Sequence, residues 1–256
     1  MTIPDLQNQS DCRKLSIDKV GVKGVRYPIV VEDRTKGIQH SVADLNIYVE
    51  LVAHKRGTHM SRFIEILNHY HTEVFIGKLD VFLAELKETM KAESAYIDIN
   101  FPYFMRKEAP VSHIASLLGY DCCFNASFSD TFELWIGVTV PVTTLCPCSK
   151  EISAYGAHNQ RSLITIRVCY NDFVWLEELI SLAESHASCE IYPLLKRPDE
   201  KYVTEKAFNN PKFVEDIVRE ITMELQADKR ITAFHVESEN FESIHNHNAY
   251  AMISST

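Results

Sequence analysis

The length, composition and charge of the chain indicate a globular protein and exclude several classes. It has 256 residues, 46% of them hydrophobic and 10% aromatic, which is typical of a domain with a buried core. Its formal net charge of -9 argues against a general nucleic-acid or membrane-surface binder, because such proteins carry an exposed basic face.

The N-terminal segment M-T-I-P-D-L-Q-N-Q-S-D has neither the basic nor the apolar region of a signal peptide. No later stretch approaches the roughly 18 consecutive apolar residues of a membrane-spanning helix. The seven cysteines are an odd number, and Cys122 and Cys123 are adjacent, so their spacing is not that of a secreted disulfide framework. We therefore expect a soluble, cytoplasmic protein with reduced thiols.

The first half of the chain is predicted to contain two strands, two helices and two further strands. Val25 to Glu32 and Ile38 to Ala53 are rich in Val, Ile and Tyr and flank the turn sequence D-R-T-K-G, which predicts a β-hairpin. The apolar spacing of Met60 to His71 and of Leu79 to Lys91 is that of amphipathic helices. The strands predicted after them are Ala95 to Phe104 and Leu118 to Phe128.

The second half is predicted to repeat this order of elements without repeating the sequence. Val174 to His186 has helical spacing, the charged segment K-R-P-D-E-K-Y-V-T-E-K is predicted to be a connection, and Asn210 with Pro211 predicts the start of a second helix. The predicted strands are Phe132 to Val142, Ser162 to Tyr170, Ile231 to Glu237 and Ala249 to Ile253. We expect an α+β protein of two ββααββ modules, residues 1–130 and 131–256, each an antiparallel sheet with helices on one face.

A cluster of possible metal ligands and acid–base groups lies between two of these strands. Thr143 to Arg161 reads T-T-L-C-P-C-S-K-E-I-S-A-Y-G-A-H-N-Q-R and contains Cys146, Cys148 and His158. Thiolate and imidazole suit zinc and similar metals, and a thiolate near Lys150 can also be a nucleophile. Side chains two apart in an extended chain point the same way, so both thiols can face one cavity and either can be the ligand.

A second polar cluster near the C-terminus consists of Glu237, Glu239, Glu242, His245 and His247. Taken singly, each histidine can be explained as a hydrogen-bonded residue of the surface or the core. Two such clusters far apart in the sequence instead predict one shared site.

Three further candidates have structural explanations of their own. Glu215 lies near the predicted start of a helix, where a carboxylate is favoured electrostatically. Glu200 lies in a charged segment for which a solvated surface is the simpler reading. His59 and Arg62 lie in G-T-H-M-S-R-F at a strand-to-helix junction, where capping with an incidental histidine explains them equally well. The phosphate-binding motifs G-x-x-x-x-G-K-[ST] and G-x-G-x-x-G are absent from the sequence.

Four segments of the sequence resemble those of a known family. They are G-T-H-M-S-R-F, L-C-P-C-S-K-E-I-S-A-Y-G-A-H-N-Q-R-S, L-L-K-R-P-D-E-K-Y-V-T-E-K-A-F-N-N-P-K-F-V-E-D and V-E-S-E-N-F-E-S-I-H-N-H-N-A-Y-A. They resemble type IB GTP cyclohydrolases, the prokaryotic enzymes of pterin and folate synthesis, and the likeness extends over the chain from about Leu15. It implies the tunnelling fold, a homotetramer with sites at subunit interfaces, and conversion of GTP and water to formate and 7,8-dihydroneopterin triphosphate.

The resemblance also implies roles for individual residues. Cys146, His158 and Glu200 resemble the ligands of about one divalent metal ion per subunit, zinc, manganese or iron, with no organic cofactor. Glu215 resembles the glutamate that anchors guanine. The residues expected at the reacting end of the substrate are Cys148, Glu242, His245 and His247. The other substrate contacts we predict are His59, Arg62 and Lys150.

Two alternatives remain open at this point. One is the nitrile reductase of queuosine synthesis, a tunnelling-fold enzyme with a purine-anchoring glutamate, a cysteine nucleophile and NADPH but no catalytic metal. The other is a non-catalytic purine or pterin binding module, which would keep Glu215 and tolerate loss of the histidines. Bound metal and release of formate distinguish the cyclohydrolase from both.

Overall fold

The computed structural model describes residues 5–7, 9–70 and 75–255. These residues divide into two compact units. The first unit takes the described residues of Met1–Phe101 and Cys123–Trp135, and the second takes those of Pro102–Cys122 and Ile136–Thr256. No helix in the described part of the chain is long and apolar enough to cross a membrane.

The described residues form nine strands and six α-helices. The strands are β1 (Ile17–Asp33), β2 (Gly37–Leu51), β3 (Ala95–Glu108), β4 (Ala115–Phe128), β5 (Phe132–Leu145), β6 (Asn159–Tyr170), β7 (Cys189–Glu190), β8 (Ile231–Asn240) and β9 (Ala249–Ser255). The helices are α1 (Met60–His69), α2 (Leu79–Met90), α3 (Pro147–Ile152), α4 (Leu176–His186), α5 (Arg197–Asn209) and α6 (Val214–Ala227). A short 3-10 helix, Phe75–Lys78, precedes α2.

The strands form a single, mostly antiparallel sheet, so the prediction of two ββααββ modules with separate sheets is wrong. Across the described residues the strand order is β1-β2-β3-β4-β5-β6-β8-β9, with β7 paired to β5. The predicted module boundary is a short turn between β4 and β5, in which the Ser129 N–H donates to the Thr131 carbonyl at 3.3 Å. So short a connection favours pairing of the strands that it joins. Alternation of apolar residues predicts a strand but does not specify which other strand it pairs with.

The first unit contains the predicted hairpin and both predicted helices. Strands β1 and β2 pair up to Asp33 and Gly37, and Gly37 adopts the positive φ of 83° that the turn requires. Helices α1 and α2 begin at the predicted residues, Met60 and Leu79. The predicted end of α1, His71, lies outside the described residues. The buried face of α2 is Leu79, Phe82, Leu83, Leu86 and Met90.

The second unit differs from its prediction at both ends of the charged segment. Residues predicted to be a connection form α5, which buries only Asp199 and Ala207 and so lacks the apolar stripe that predicts a helix. Helix α6 begins at Val214, and Asn210 caps the end of α5 instead of starting α6. Its side-chain amide donates to the Ala187 carbonyl at 2.9 Å.

Polar contacts hold α5 in place. The buried Asp199 carboxylate accepts hydrogen bonds of 2.8 Å from the N–H groups of Val111, Ser112 and Lys196. Burial alone would raise the pKa of Asp199, but these bonds and one from the Ser112 hydroxyl hold it well below its usual range. A carboxylate with this many donors replaces the apolar contacts that anchor the other helices.

A second polar anchor joins β7 to α5. Glu190 is bonded to Lys206 on α5 and accepts a 2.5 Å hydrogen bond from the Tyr192 hydroxyl. Burial would raise the pKa of Glu190, but these two hydrogen bonds outweigh it and lower the pKa to about 2. Because β7 pairs with Thr143 near the end of β5, this anchor connects α5 to the strand that leads into the Cys/His segment.

We expect Glu190→Gln to lower the free energy of unfolding by about 2 to 3 kcal/mol at pH 7. A carboxylate with a depressed pKa stabilises the fold above its unfolded pKa, and this contribution is lost as the pH falls towards the folded value of about 2. The deficit of the variant should therefore shrink below about pH 4.5, as measured by urea unfolding from pH 7 to pH 3. A deficit independent of pH would contradict this account. Glu205→Gln, which breaks an exposed ion pair with Lys201 on the same helix, is the control and should change stability little.

Candidate active site

A pocket in the second unit gathers residues from both sequence clusters. It has a volume of about 280 Å³, close to the roughly 300 Å³ at the lower end of small-molecule sites. Such a volume suits a purine base better than a whole nucleoside triphosphate. The predicted site residues that line it are Cys146, His158, Glu215, Glu242, His245 and His247.

Cys146 and His158 are held together by the backbone around α3. Cys146 is the N-cap of this helix, and its Sγ accepts the Ser149 N–H at 3.4 Å. The Cys146 N–H donates to the His158 carbonyl at 3.2 Å, and the His158 N–H donates to the Ser149 hydroxyl at 3.2 Å. These bonds fix the thiol and the imidazole at one edge of the pocket.

The two cysteines of the C-P-C sequence do not share the pocket. An extended segment would point both thiols the same way, as predicted, but α3 begins at Pro147. Residues two apart on a helix do not face the same side. Cys146 lines the pocket, whereas Cys148 is exposed on α3 and is not among its lining residues.

His158 has its Nδ1 atom occupied. This nitrogen lies 3.0 Å from Gln160 Oε1 and 3.7 Å from Glu242 Oε2, and the side chains of His158 and Glu242 are only 13% and 12% exposed. The Gln160 amide nitrogen donates to Thr144 Oγ1 at 2.8 Å, and Thr144 Oγ1 lies 2.7 Å from Ser162 Oγ. The ring is therefore bonded into a buried polar chain through one nitrogen, Nδ1.

His245 and His247 lie in the loop between β8 and β9. Their rings stack with centroids 5.1 Å apart and an interplanar angle of 20°. The loop is a series of bends and not an extended strand, and both histidines line the pocket. Two imidazoles therefore stand side by side in the pocket wall.

Glu215 lies in the first turn of α6 and lines the pocket. Its neighbour in the wall is Lys212, whose ammonium group contacts both oxygens of Glu220 at 2.6 and 2.7 Å. The Lys212 N–H donates to the Leu145 carbonyl at 3.1 Å, so the entrance to α6 is tied to the end of β5. Glu215 thus faces the same pocket as Cys146.

The other predicted site residues lie elsewhere. His59 and Arg62 are in the first unit, at the start of α1. Lys150 donates to the Phe208 carbonyl at 2.5 Å and does not line the pocket. Glu200 is exposed near the start of α5 and does not line the pocket. Phe208, whose carbonyl Lys150 contacts, lies about 12 Å further along the same helix. In residues 5–7, 9–70 and 75–255, no three His, Cys, Asp or Glu side chains are grouped so as to hold a metal ion.

Sequence reasoning missed three polar lining residues: Gln160, Lys212 and Asn240. Asn240 is 4% exposed, and its Oδ1 has no hydrogen-bond partner in the described part of the chain. Lys212 and Asn240 carry no distinguishing pattern in the sequence. Gln160 has one weak signal, since it lies two residues from His158, just before the strand predicted from Ser162, and in extended chain its side chain can share the direction of the histidine.

Comparison with known proteins gives consistent matches over the length of the chain. A family described as type I GTP cyclohydrolase folE2 matches residues 3–251. Proteins named GTP cyclohydrolase FolE2 from Geobacter metallireducens and Geobacter sulfurreducens are 55% and 56% identical, each over 98% of this chain and 97% of the relative. The counterpart from Methylobacillus flagellatus is 53% identical over 98% of this chain and 95% of its own.

Solved structures with a similar fold are urate oxidases. One from Bacillus sp. TB-90 aligns with a TM-score of 0.55 at 11% identity, over 94% of this chain and all of its own. Another structure of that enzyme gives a TM-score of 0.54 at 10% identity, over 94% of this chain and 99% of its own. At such identities the likeness concerns the fold alone.

Proposed function

The chain belongs to the type I GTP cyclohydrolase FolE2 family, and from this premise we propose that the pocket between α3, α6 and the β8–β9 loop is where it hydrolyses GTP. The protein is a GTP cyclohydrolase I of folate biosynthesis, which converts GTP to formate and 7,8-dihydroneopterin triphosphate. The observation that carries the location is the convergence of a thiol, imidazoles and two glutamates in one pocket. We further propose that it acts in the cytoplasm, where its thiols stay reduced.

The residues of the pocket suit a divalent metal ion. Cys146 and His158 supply sulfur and nitrogen donors from the same wall, a pair that suits zinc and other first-row metals. Because Nδ1 of His158 is bonded to Gln160, the lone pair of Nε2 remains for a metal. A divalent ion held by these residues would lower the pKa of a bound water and polarise the substrate.

We propose Glu200 as the third ligand, supplied by a neighbouring subunit. A catalytic metal site usually has three protein ligands, and Cys146 and His158 supply only two of them. Glu200 of the same chain is exposed on α5 and does not line the pocket, so it is available to another copy of the chain. This arrangement agrees with the predicted homotetramer, in which sites lie between subunits.

Mixed tetramers test this arrangement. His158→Ala and Glu200→Ala should each be inactive alone. When the two are co-expressed, about one site in four receives an intact His158 from one subunit and an intact Glu200 from the other. Co-expression should therefore restore about a quarter of wild-type activity. The measurement is formate release by tetramers that carry two different affinity tags and are purified on both. Mixed tetramers without activity would show that Glu200 does not act across an interface.

The side chains of the pocket divide the remaining work. Guanine C8 is a poor electrophile, so its hydrolysis needs protonation of the ring and removal of a proton from water. His245 and His247 stand together in the pocket wall and can exchange protons with the substrate. Glu242 lies beside His158 and can orient the attacking water or accept its proton. Opening and closure of the ribose after formate leaves need proton transfers that the same groups can supply.

Glu215 is proposed to anchor guanine. Its carboxylate can accept two hydrogen bonds, from the N1–H and the 2-amino group, at the start of α6. Anchoring the base there leaves C8 towards the imidazoles, and the triphosphate extends out of a pocket too small to enclose it. We keep His59, Arg62 and Lys150 as candidates for contacts to the outer part of the substrate.

Purified protein incubated with GTP and Mn²⁺ or Zn²⁺ should release formate and yield a product that fluoresces as a pterin after oxidation. Metal-free protein should do neither. Consumption of NADPH without formate would favour the nitrile reductase, for which Cys146 is a thiol that lines the pocket. Binding of GTP without turnover at any metal concentration would favour a binding module.

A further inference from the structure

We propose that Gln160 is a positioning residue that fixes the tautomer and ring orientation of His158 and so presents Nε2 to the metal ion. The proposal rests on the proposed function of the pocket. Its basis is the chain of hydrogen bonds from Ser162 through Thr144 and Gln160 to the imidazole.

The direction of these bonds determines which nitrogen carries the proton. The Gln160 amide nitrogen is a donor only, and it points to Thr144 Oγ1 at 2.8 Å. The other end of the amide, Oε1, therefore faces the imidazole and can only accept, so Nδ1 at 3.0 Å must be the N–H donor. A neutral imidazole protonated at Nδ1 has its lone pair on Nε2.

Burial limits what can replace these hydrogen bonds. Thr144 and Ser162 are fully buried and Gln160 is 7% exposed, so these three side chains have little access to water. A reversed amide would turn its NH₂ towards Nδ1 and its oxygen towards Thr144 Oγ1, which requires an imidazole protonated at Nε2. The observed orientation, with Oε1 at Nδ1, is therefore the one that leaves the lone pair of Nε2 for a metal ion.

Glu242 is the competing partner for the ring. Its Oε2 lies 3.7 Å from Nδ1, beyond hydrogen-bond distance. Without the Gln160 acceptor, neither residue would lie within hydrogen-bond distance of Nδ1, so nothing on this side would hold the imidazole in the Nδ1–H tautomer or fix its orientation. Loss of such a hydrogen-bond partner typically weakens metal binding by about 10- to 100-fold.

Two substitutions of similar size separate positioning from packing. Gln160→Met keeps the volume but removes the acceptor, and Gln160→Glu keeps an acceptor for Nδ1–H while Thr144 reverses to donate to it. We expect Gln160→Met to bind Zn²⁺ at least about tenfold more weakly, and Gln160→Glu to stay within about threefold of the wild type. A purely structural role predicts the reverse order, because a buried charge disturbs the fold more than a methionine does.

The control removes a similar hydrogen bond from the same pair of strands. Thr139 and Thr165 join β5 and β6 through hydroxyls 3.1 Å apart, with no connection to His158. Thr165→Val should lower the melting temperature without weakening Zn²⁺ binding. If it weakens binding as much as Gln160→Met does, general disturbance of the strands explains both effects and the proposal is overturned.

Two measurements distinguish failure of this inference from failure of the proposed function. Zn²⁺ affinity is measured by competition with a chromophoric chelator, and the His158 tautomer is measured in metal-free protein by ¹⁵N NMR of labelled histidine, assigned with His158→Ala. We expect an Nδ1–H tautomer in the wild type and its loss in Gln160→Met. If the wild type and Gln160→Met show the same His158 tautomer and the same Zn²⁺ affinity, the role of Gln160 is overturned while the metal site stays intact. A wild type that binds no Zn²⁺ yet shows the Nδ1–H tautomer would instead overturn the proposed metal site.

Discussion

His158→Ala is expected to lose the bound metal ion and, with it, the turnover of GTP. The substitution removes one of the two metal ligands proposed in the pocket, Cys146 and His158. Its effect on affinity should exceed the roughly 10- to 100-fold that loss of a ligand's hydrogen-bond partner costs. Formate release should fall by about a thousandfold or more, because water is no longer activated near neutral pH.

Metal content by mass spectrometry and formate release are measured on the same preparation. His186→Ala is the matched control, because the side chain of His186 is 14% exposed and that of His158 is 13% exposed. His186 pairs with Glu224 outside the pocket, so its loss should affect stability and leave metal content unchanged. If His158→Ala retains full metal content and turnover, the metal site lies elsewhere.

Glu215→Gln is expected to fold, to bind metal and to lose recognition of GTP. The carboxylate would accept two N–H donors of guanine, and the bound base would shield it from water. A charge-assisted pair of this kind is worth on the order of 2 to 5 kcal/mol. The expected fall in kcat/KM is therefore roughly thirty-fold or more. Metal content should not change, since Glu215 holds substrate and is not a ligand.

The opposing account makes Glu215 a helix-end carboxylate that stabilises α6 by at most about 1 kcal/mol. Asp216→Asn tests this directly, because Asp216 lies in the same turn and its carboxylate accepts the Phe213 N–H at 3.0 Å. We expect Asp216→Asn to lower stability slightly and leave kcat/KM within about twofold, since the structural contribution of such a cap is small. Near-normal kcat/KM in Glu215→Gln would show that Glu215 has only a structural role and does not anchor guanine.

The sequence by itself determined the family, most secondary structure and the main constituents of the site. Its long signature segments indicated which residue types form the site, and its local patterns predicted eight of the nine strands and four of the six α-helices in the described part of the chain. It failed at α5, where Asp199 replaces an apolar stripe, and at α3, where a six-residue helix follows a proline inside a segment read as extended. Local patterns report only whether a face is buried, so elements held by polar contacts escape them.

Only the tertiary structure decided the single sheet, the choice of Cys146 over Cys148 as the residue facing the pocket, and the position of Glu200 away from it. Strand partners depend on backbone pairing between segments distant in sequence, which the alternation of side chains does not encode. The direction of a thiol depends on whether its backbone is helical or extended, and the six residues after Cys146 are helical. Gln160 became significant for the same reason, because the bond that orients its amide, to Thr144, exists only once β5 and β6 are paired.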